Sequence, residues 1–158
     1  MTQHNFKQLP ISLRSRHKTD VRTQFAALCY RIRKDKPEFL LVTSRRTGRW
    51  IIPKGWPVDG KTPADSALME AWEEAGVRGR VTGPSLGLFS YFKDGPGEDG
   101  LPCVAMVFPV RVRGLSGRYP ERAERKRKWM RPKKAAASVG MPELAHILRE
   151  FDPRLLRR

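Results

Sequence analysis

Hydrophobic and polar positions change rhythm several times along this chain. Residues 24–32, Q-F-A-A-L-C-Y-R-I, are apolar without alternation and predict a central strand covered on both faces. Residues 33–37 predict a turn, and 38–43, E-F-L-L-V-T, a second strand. A short basic loop at 44–49 and a short strand at 50–53 follow. From Pro63 the period becomes helical, with Ala64, Ala67, Leu68, Ala71 and Ala75 on one face. Thr62 suits the N-cap, Pro63 the first helical position, Asp65 a capping box and Gly76 the stop. Residues 78–82 and 86–92 predict strands, and 93–100, K-D-G-P-G-E-D-G, the tip of a hairpin. In 103–112, Val104, Met106, Phe108, Val110 and Val112 alternate onto one face. Residues 114–120 read as irregular. Trp129 and Met130 interrupt a charged run that begins at Glu121 and predict a short strand that tucks in. Pro132 and the alanines after it begin a helix. The last helix spans 142–151, with Leu144, Ile147, Leu148 and Phe151 as its apolar face.

Strands on either side of one short helix, followed by terminal helices, imply an α/β arrangement with a mixed sheet and helices on both sides. At 158 residues the chain suits one compact domain, placed at 21–158. Residues 1–20, with Arg14, Arg16, His17 and Lys18, read as a basic, flexible N-terminal segment. Charge narrows the partner. Lys and Arg total 32 against 16 Asp and Glu, a formal net charge of +16, which favours a polyanion. Cys29 and Cys103 lie in apolar stretches and read as buried free thiols. No C-x-x-C occurs, and the three histidines show no ligand spacing, so zinc chemistry and nucleophilic triads are excluded. No apolar signal core or membrane-spanning stretch is present, which predicts a soluble, cytoplasmic protein without a membrane partner. The sequence assigns no oligomeric state.

The chemistry concentrates in one place. Glu70, Glu73 and Glu74 stand at i, i+3 and i+4 on the predicted helix, and no Lys or Arg lies between Met69 and Val77 to offset their repulsion. A solvated acidic face is the plain reading. In so basic a chain the better one is a divalent cation among the carboxylates, because hard cations take oxygen ligands and share them with substrate phosphates. Arg45, Arg46, Arg49 and Lys54 flank this stretch, where phosphate needs cations. The acids of the 93–100 tip, Asp94, Glu98 and Asp99, read first as turn chemistry, with an accessory role at the site as the alternative.

Residues 55–77, G-W-P-V-D-G-K-T-P-A-D-S-A-L-M-E-A-W-E-E-A-G-V, resemble the Nudix box of hydrolases that act on nucleoside diphosphates linked to another group. Gly55, Glu70, Ala71, Glu73, Glu74, Gly76 and Val77 fall in register with it. Lys61 and Met69 stand where the family has a supporting Glu–Arg ion pair, and their joint departure reads as coupled replacement. The flanks R-W-I-I-P and R-K-R-K-W are similar to the diphosphoinositol polyphosphate phosphohydrolase branch. Lys54 and Trp56 replace glycines of that branch, and Trp56 would narrow the pocket or stack on a base. The resemblance implies an α/β/α sandwich with a mixed sheet. It implies Mg²⁺, with Mn²⁺ as an alternative, held by Glu70, Glu74 and the Lys54 carbonyl. Glu73 is the candidate general base for water attack. Arg22, Ser44, Arg45 and Arg125 align with residues that contact substrate phosphates. Arg125, Lys126 and Arg127 are expected to divide between substrate and solvent, with Arg125 on phosphate. The expected partner is a polyphosphorylated small molecule, a diphosphoinositol or dinucleoside polyphosphate. The alternatives are an RNA 5′-pyrophosphohydrolase and a catalytically silent domain that binds nucleotide or RNA.

Overall fold

Strand β1, Arg22–Arg33, is the axis on which the other elements are arranged. The computed structural model describes residues 8, 10, 22–93 and 101–156. The expected N-terminal segment therefore lies outside the described residues apart from Gln8 and Pro10, and so do Asp94, Glu98 and Asp99. After β1 come β2 (Lys36–Thr43), β3 (Trp50–Ile51), β4 (Lys54–Gly55), α1 (Pro63–Ala75), β5 (Val77–Val81), β6 (Gly87–Lys93), β7 (Leu101–Leu115), β8 (Arg127–Met130), α2 (Pro132–Ser138) and α3 (Pro142–Glu150). A single 3₁₀ turn, Pro153–Leu155, follows.

The eight strands form one mixed sheet. β1 runs parallel to β7, from Arg22 opposite Cys103 to Tyr30 opposite Arg111, and antiparallel to β2 and β4. On its other side β7 carries β6 and β5, while β2 carries β3 and β8. β1 is buried on both faces from Gln24 to Tyr30, as its unbroken apolar run requires. The Tyr30 ring packs on Phe151 at the end of α3, with centroids 4.8 Å apart. The neighbouring Cys29 thiol, pushed up chiefly by burial, also feels the Glu74 carboxylate of α1. Adjacent strand residues point to opposite faces, so α1 and α3 cover opposite sides of the sheet. Both cysteines are free and buried. No helix among the described residues is long and apolar enough to cross a membrane.

Three differences from the sequence reading have physical causes. The expected five-residue turn at 33–37 is a two-residue hairpin. Lys34 and Asp35 both have positive φ, 53° and 64°, as a type I′ turn demands, so Arg33 and Lys36 already pair. β7 is buried on both faces along its middle and runs through Gly114 to Leu115, because it has a strand on each side and a helix layer above and below. The single strand expected at 50–53 is two. β2 leaves β1 beyond the Tyr30–Phe39 pair. β3 joins β2 and β4 joins β1 in the gap that opens. Ile52 and Pro53 cross between them. Pro53 has no N–H for a ladder, and its carbonyl accepts the Ala27 amide at 2.9 Å. This crossing sets Lys54 and Gly55 in the split of the sheet, facing α1.

Helix α1 is closed by local and distant groups. The Thr62 hydroxyl accepts the Asp65 amide at 3.1 Å. The Gln8 side-chain carbonyl accepts the Ala64 amide at 2.7 Å. At the other end Gly76 takes the left-handed conformation, φ 66°. A Cβ there would lie 2.5 Å from the Tyr119 ring and 2.8 Å from the Arg127 guanidinium. Arg127 donates to the Ala75 carbonyl at 2.7 Å and stacks over Tyr119 at 4.8 Å. It therefore caps the helix rather than facing solvent, and a cation at a helix C-terminus is favoured by the helix dipole as well. Arg127→Ala should cost about 1.5–3 kcal/mol of folding stability in a urea melt, the magnitude of a hydrogen bond to a charged group. Lys128→Ala, exposed on the same strand, should leave the midpoint unchanged. A midpoint unchanged in both would remove Arg127 from the capping role.

Candidate active site

α1, the loop after β2, β4 and the end of β6 enclose a cleft of about 380 Å³. Glu70, Glu73, Glu74, Lys54, Ser44, Arg45 and Arg125 all line it. Arg22 does not; it stands at the start of β1, opposite Cys103. Glu121, Gln24, Tyr91, Lys93 and Trp56 join the lining.

The three glutamates do not share one solvated face. Glu74 is seven residues from Ala67, almost two full turns, so it falls on the apolar stripe and is buried with Ala67 and Ala71. Its side chain is 6% exposed. Glu70 and Glu74 are hydrogen-bonded to each other. Burial raises the pKa of both carboxyls. For Glu74 burial and the neighbouring Glu70 outweigh the opposing Arg125 and push it up to about 8, so the pair holds a proton at neutral pH. The Glu70 carboxylate lies directly on the Gly55 backbone. A Cβ at position 55 would stand 2.1 Å from Oε1 of Glu70.

A non-local segment supplies the charge that α1 lacks. Between β7 and β8 the chain returns along the helix, with the Ser116 amide on the Gly76 carbonyl at 2.8 Å and the Glu121 amide on the Glu73 carbonyl at 2.9 Å. Arg125, 10% exposed, reaches Glu74 at 3.6 Å. It also donates to the Thr43 carbonyl at 3.0 Å and pairs with Glu121 at 3.0 Å. Arg45 pairs with Glu121 at 3.6 Å and Glu124 at 3.4 Å. Ser44 is the hub of its loop: its hydroxyl meets Thr47 at 2.5 Å and accepts the Arg49 amide at 3.2 Å, and its amide donates to the Arg49 carbonyl at 2.8 Å. The Lys54 ammonium sits 4.5 Å over the Tyr91 ring, its pKa lowered chiefly by burial and held up in part by Glu74. Tyr91 in turn donates to the Gln24 side chain.

A family model for the NUDIX domain matches residues 22–154. The chain belongs to the NUDIX domain family. Nudix hydrolase 12, mitochondrial, from Arabidopsis thaliana is 32% identical over 131 residues, covering 78% of this chain and 64% of that protein. Diphosphoinositol polyphosphate phosphohydrolase 3-alpha from Homo sapiens is 38% identical over 69 residues, 44% of this chain and 42% of that protein. The chain thus spans between 42% and 64% of the length of these two curated relatives. The crystal structure of a C. elegans Ap4A hydrolase superposes with a TM-score of 0.64 at 21% identity, over 86% of this chain and 99% of that one, a likeness of fold.

The NUDIX glutamates fit a hard divalent cation in a particular way. Among the described residues no three acidic, histidine or cysteine side chains converge as a ready-made cage. Two carboxylates do converge, against exposed backbone at Gly55. Mg²⁺ is commonly held by one or two carboxylates, with waters and substrate phosphates completing its shell. Sequence reading missed Glu121, which orients both cleft arginines; no helical or strand period marks it, because it lies in the irregular return segment.

Proposed function

We propose that this chain is a Mg²⁺-dependent pyrophosphohydrolase that cleaves a phosphoanhydride bond in a polyphosphorylated small molecule, a diphosphoinositol polyphosphate or a dinucleoside polyphosphate. The observation that carries the reading is the buried Glu70–Glu74 pair seated on Gly55 at the floor of a cation-walled cleft. The names of the curated relatives agree with this substrate class. Residues 21–158 are taken as the working domain, in line with the family match over 22–154.

Glu70 and Glu74, with the Lys54 carbonyl, would hold Mg²⁺, or Mn²⁺ in its place. When bound, the ion neutralises phosphate charge and lowers the pKa of water. Glu73 accepts the proton of the attacking water, whose oxygen bonds to phosphorus as the anhydride P–O bond breaks and the leaving phosphate departs with the electron pair. Ser44, Arg45 and Arg125 are the phosphate contacts from the cleft, with Arg22 at a greater remove. For Arg45 and Arg125 this means exchanging Glu121 for substrate, and a guanidinium suits that exchange because it binds either oxyanion in a bidentate way.

Folding and metal binding should be linked through pH. The folded pKa of Glu74 is about 8 against an ordinary 4.5, so its contribution to stability is complete below the ordinary value and is lost as pH rises towards the folded one. Cation-free protein should therefore lose thermal stability from about pH 5 to about pH 8, and the Tm increment given by Mg²⁺ should grow over the same interval. Glu74→Gln should flatten both curves. Identical pH profiles in the two proteins would detach Glu74 from the metal.

The deciding experiment is a substrate panel of inositol pyrophosphates, dinucleoside polyphosphates, nucleotide sugars and triphosphorylated RNA, ranked by kcat/KM with Mg²⁺ or Mn²⁺. Release of phosphate products that stops on chelation and in Glu74→Gln is the expected result. No release from any substrate overturns the enzyme reading, and a clear preference for triphosphorylated RNA moves it to the nucleic-acid class.

A further inference from the structure

The wall of the cleft opposite the glutamates alternates rings and ammonium groups. Tyr91 and Lys93 are two apart on β6 and point to the same side. Each meets a residue of the segment that begins at β4: Lys54 lies 4.5 Å over Tyr91, and Lys93 lies 4.6 Å over the Trp56 ring. Gly55, between Lys54 and Trp56, carries Glu70. The carboxylates, the buried Lys54 and the half-buried Trp56 indole are thus set by three consecutive residues. Trp50 lines the same cleft.

We propose that Trp56 stacks on an aromatic nucleobase, so that the molecule this cleft takes is a nucleoside polyphosphate, with its phosphates along Lys54 and Lys93. The proposal rests on the cleft being the substrate site and names the class within that reading. Two features separate it from an inositol polyphosphate. An inositol ring has no π face, whereas every base has one and stacks on an indole. A densely phosphorylated inositol also needs many cations at once, and here Arg45 and Arg125 are already opposed by Glu121 and Glu124. The Lys93 ammonium occupies the Trp56 face through a cation–π contact of modest strength. An entering base takes that face, and the displaced ammonium is within a side chain's length of the phosphates.

A matched pair of probes tests this: ATP and inorganic tripolyphosphate, which carry three phosphates with and without adenosine. Both are titrated calorimetrically in Mg²⁺ against Glu73→Gln protein, with a diphosphoinositol polyphosphate as the third arm. ATP should bind about ten- to a hundredfold more tightly than tripolyphosphate, the range for one stacked base. Adding Trp56→Ala should bring the two within about twofold, Trp56→Phe should keep most of the difference, and Trp56→Leu should lose it, since an apolar side chain without a π face is not enough. A difference that survives Trp56→Ala, or equal affinities in the parent, overturns the proposal. So does a diphosphoinositol polyphosphate that binds more tightly than ATP regardless of residue 56. Failure here is distinct from failure of the hydrolase reading. Glu74-dependent hydrolysis insensitive to Trp56 removes the nucleobase and keeps the enzyme; Trp56-dependent ATP binding without metal-dependent release does the reverse.

Discussion

Glu73→Gln is expected to lower kcat by about 10²–10⁴-fold, the usual loss when a general base is removed, with the fold intact. The three glutamates are not equivalent. Glu70 and Glu74 are hydrogen-bonded to each other and seated in the split of the sheet, one on Gly55 and the other beside Arg125. Glu73 stands beside that pair, half-buried on the cleft side of α1, and reaches Glu70 only as a neighbouring charge. Its part in the architecture is played by its backbone, whose carbonyl holds the Glu121 amide at 2.9 Å, and Gln keeps that carbonyl. The substitution preserves shape and removes the basic oxygen. Thermal unfolding and Mg²⁺ affinity should therefore stay near the parent values while turnover collapses. Turnover within a fewfold of the parent at saturating Mg²⁺ would take Glu73 out of the chemistry.

What the sequence made legible was what local rules govern. The limits of α1 followed from Thr62, Pro63 and Gly76, each acting within a turn of its own position, and the spacing of the glutamates from Gly55 placed the NUDIX signature. The terminal helices and the short strand at Trp129 followed from prolines and from apolar residues inside a charged run. The internal arrangement of the site did not follow. The three glutamates read as one acidic face, yet Glu74 shares the stripe of Ala67 and Ala71 and is buried; a count of helical turns shows this, but only the sheet beneath makes it costly. The missing counter-charge seemed absent because it was sought within α1. It arrives as Arg125 from 51 residues beyond Glu74, through a segment that read as a solvated charge run. Arg127, from the same run, caps the helix instead of meeting water. The split between β3 and β4 could not be read either, because it depends on where β2 leaves β1, a consequence of packing between distant strands.

That split gives the second large effect. Gly55→Ala should reduce kcat/KM by about a hundredfold while leaving stability almost unchanged. Gly55 has no positive φ, so alanine fits its backbone, and its pairing with Phe25 uses no side chain. The obstacle is Glu70 alone. The new methyl would stand 2.1 Å from Oε1, 2.2 Å from Cδ and 2.7 Å from Oε2. Ordinary contact needs about 3.5 Å, so the carboxylate must retreat by roughly 1 Å or more. It is the end of a flexible side chain, so the retreat costs the fold little. It does separate Glu70 from Glu74, and a displacement of about 1 Å in a reacting constellation is enough for about 10²-fold in rate. Mg²⁺ affinity should weaken in the same variant, which Glu73→Gln should not show. Gly117→Ala is the control, since a Cβ there meets nothing within 4 Å. A Gly55→Ala protein with parental Mg²⁺ dependence and turnover would mean that the seat of Glu70 on β4 plays no part in catalysis, and the buried carboxylate pair would need another explanation.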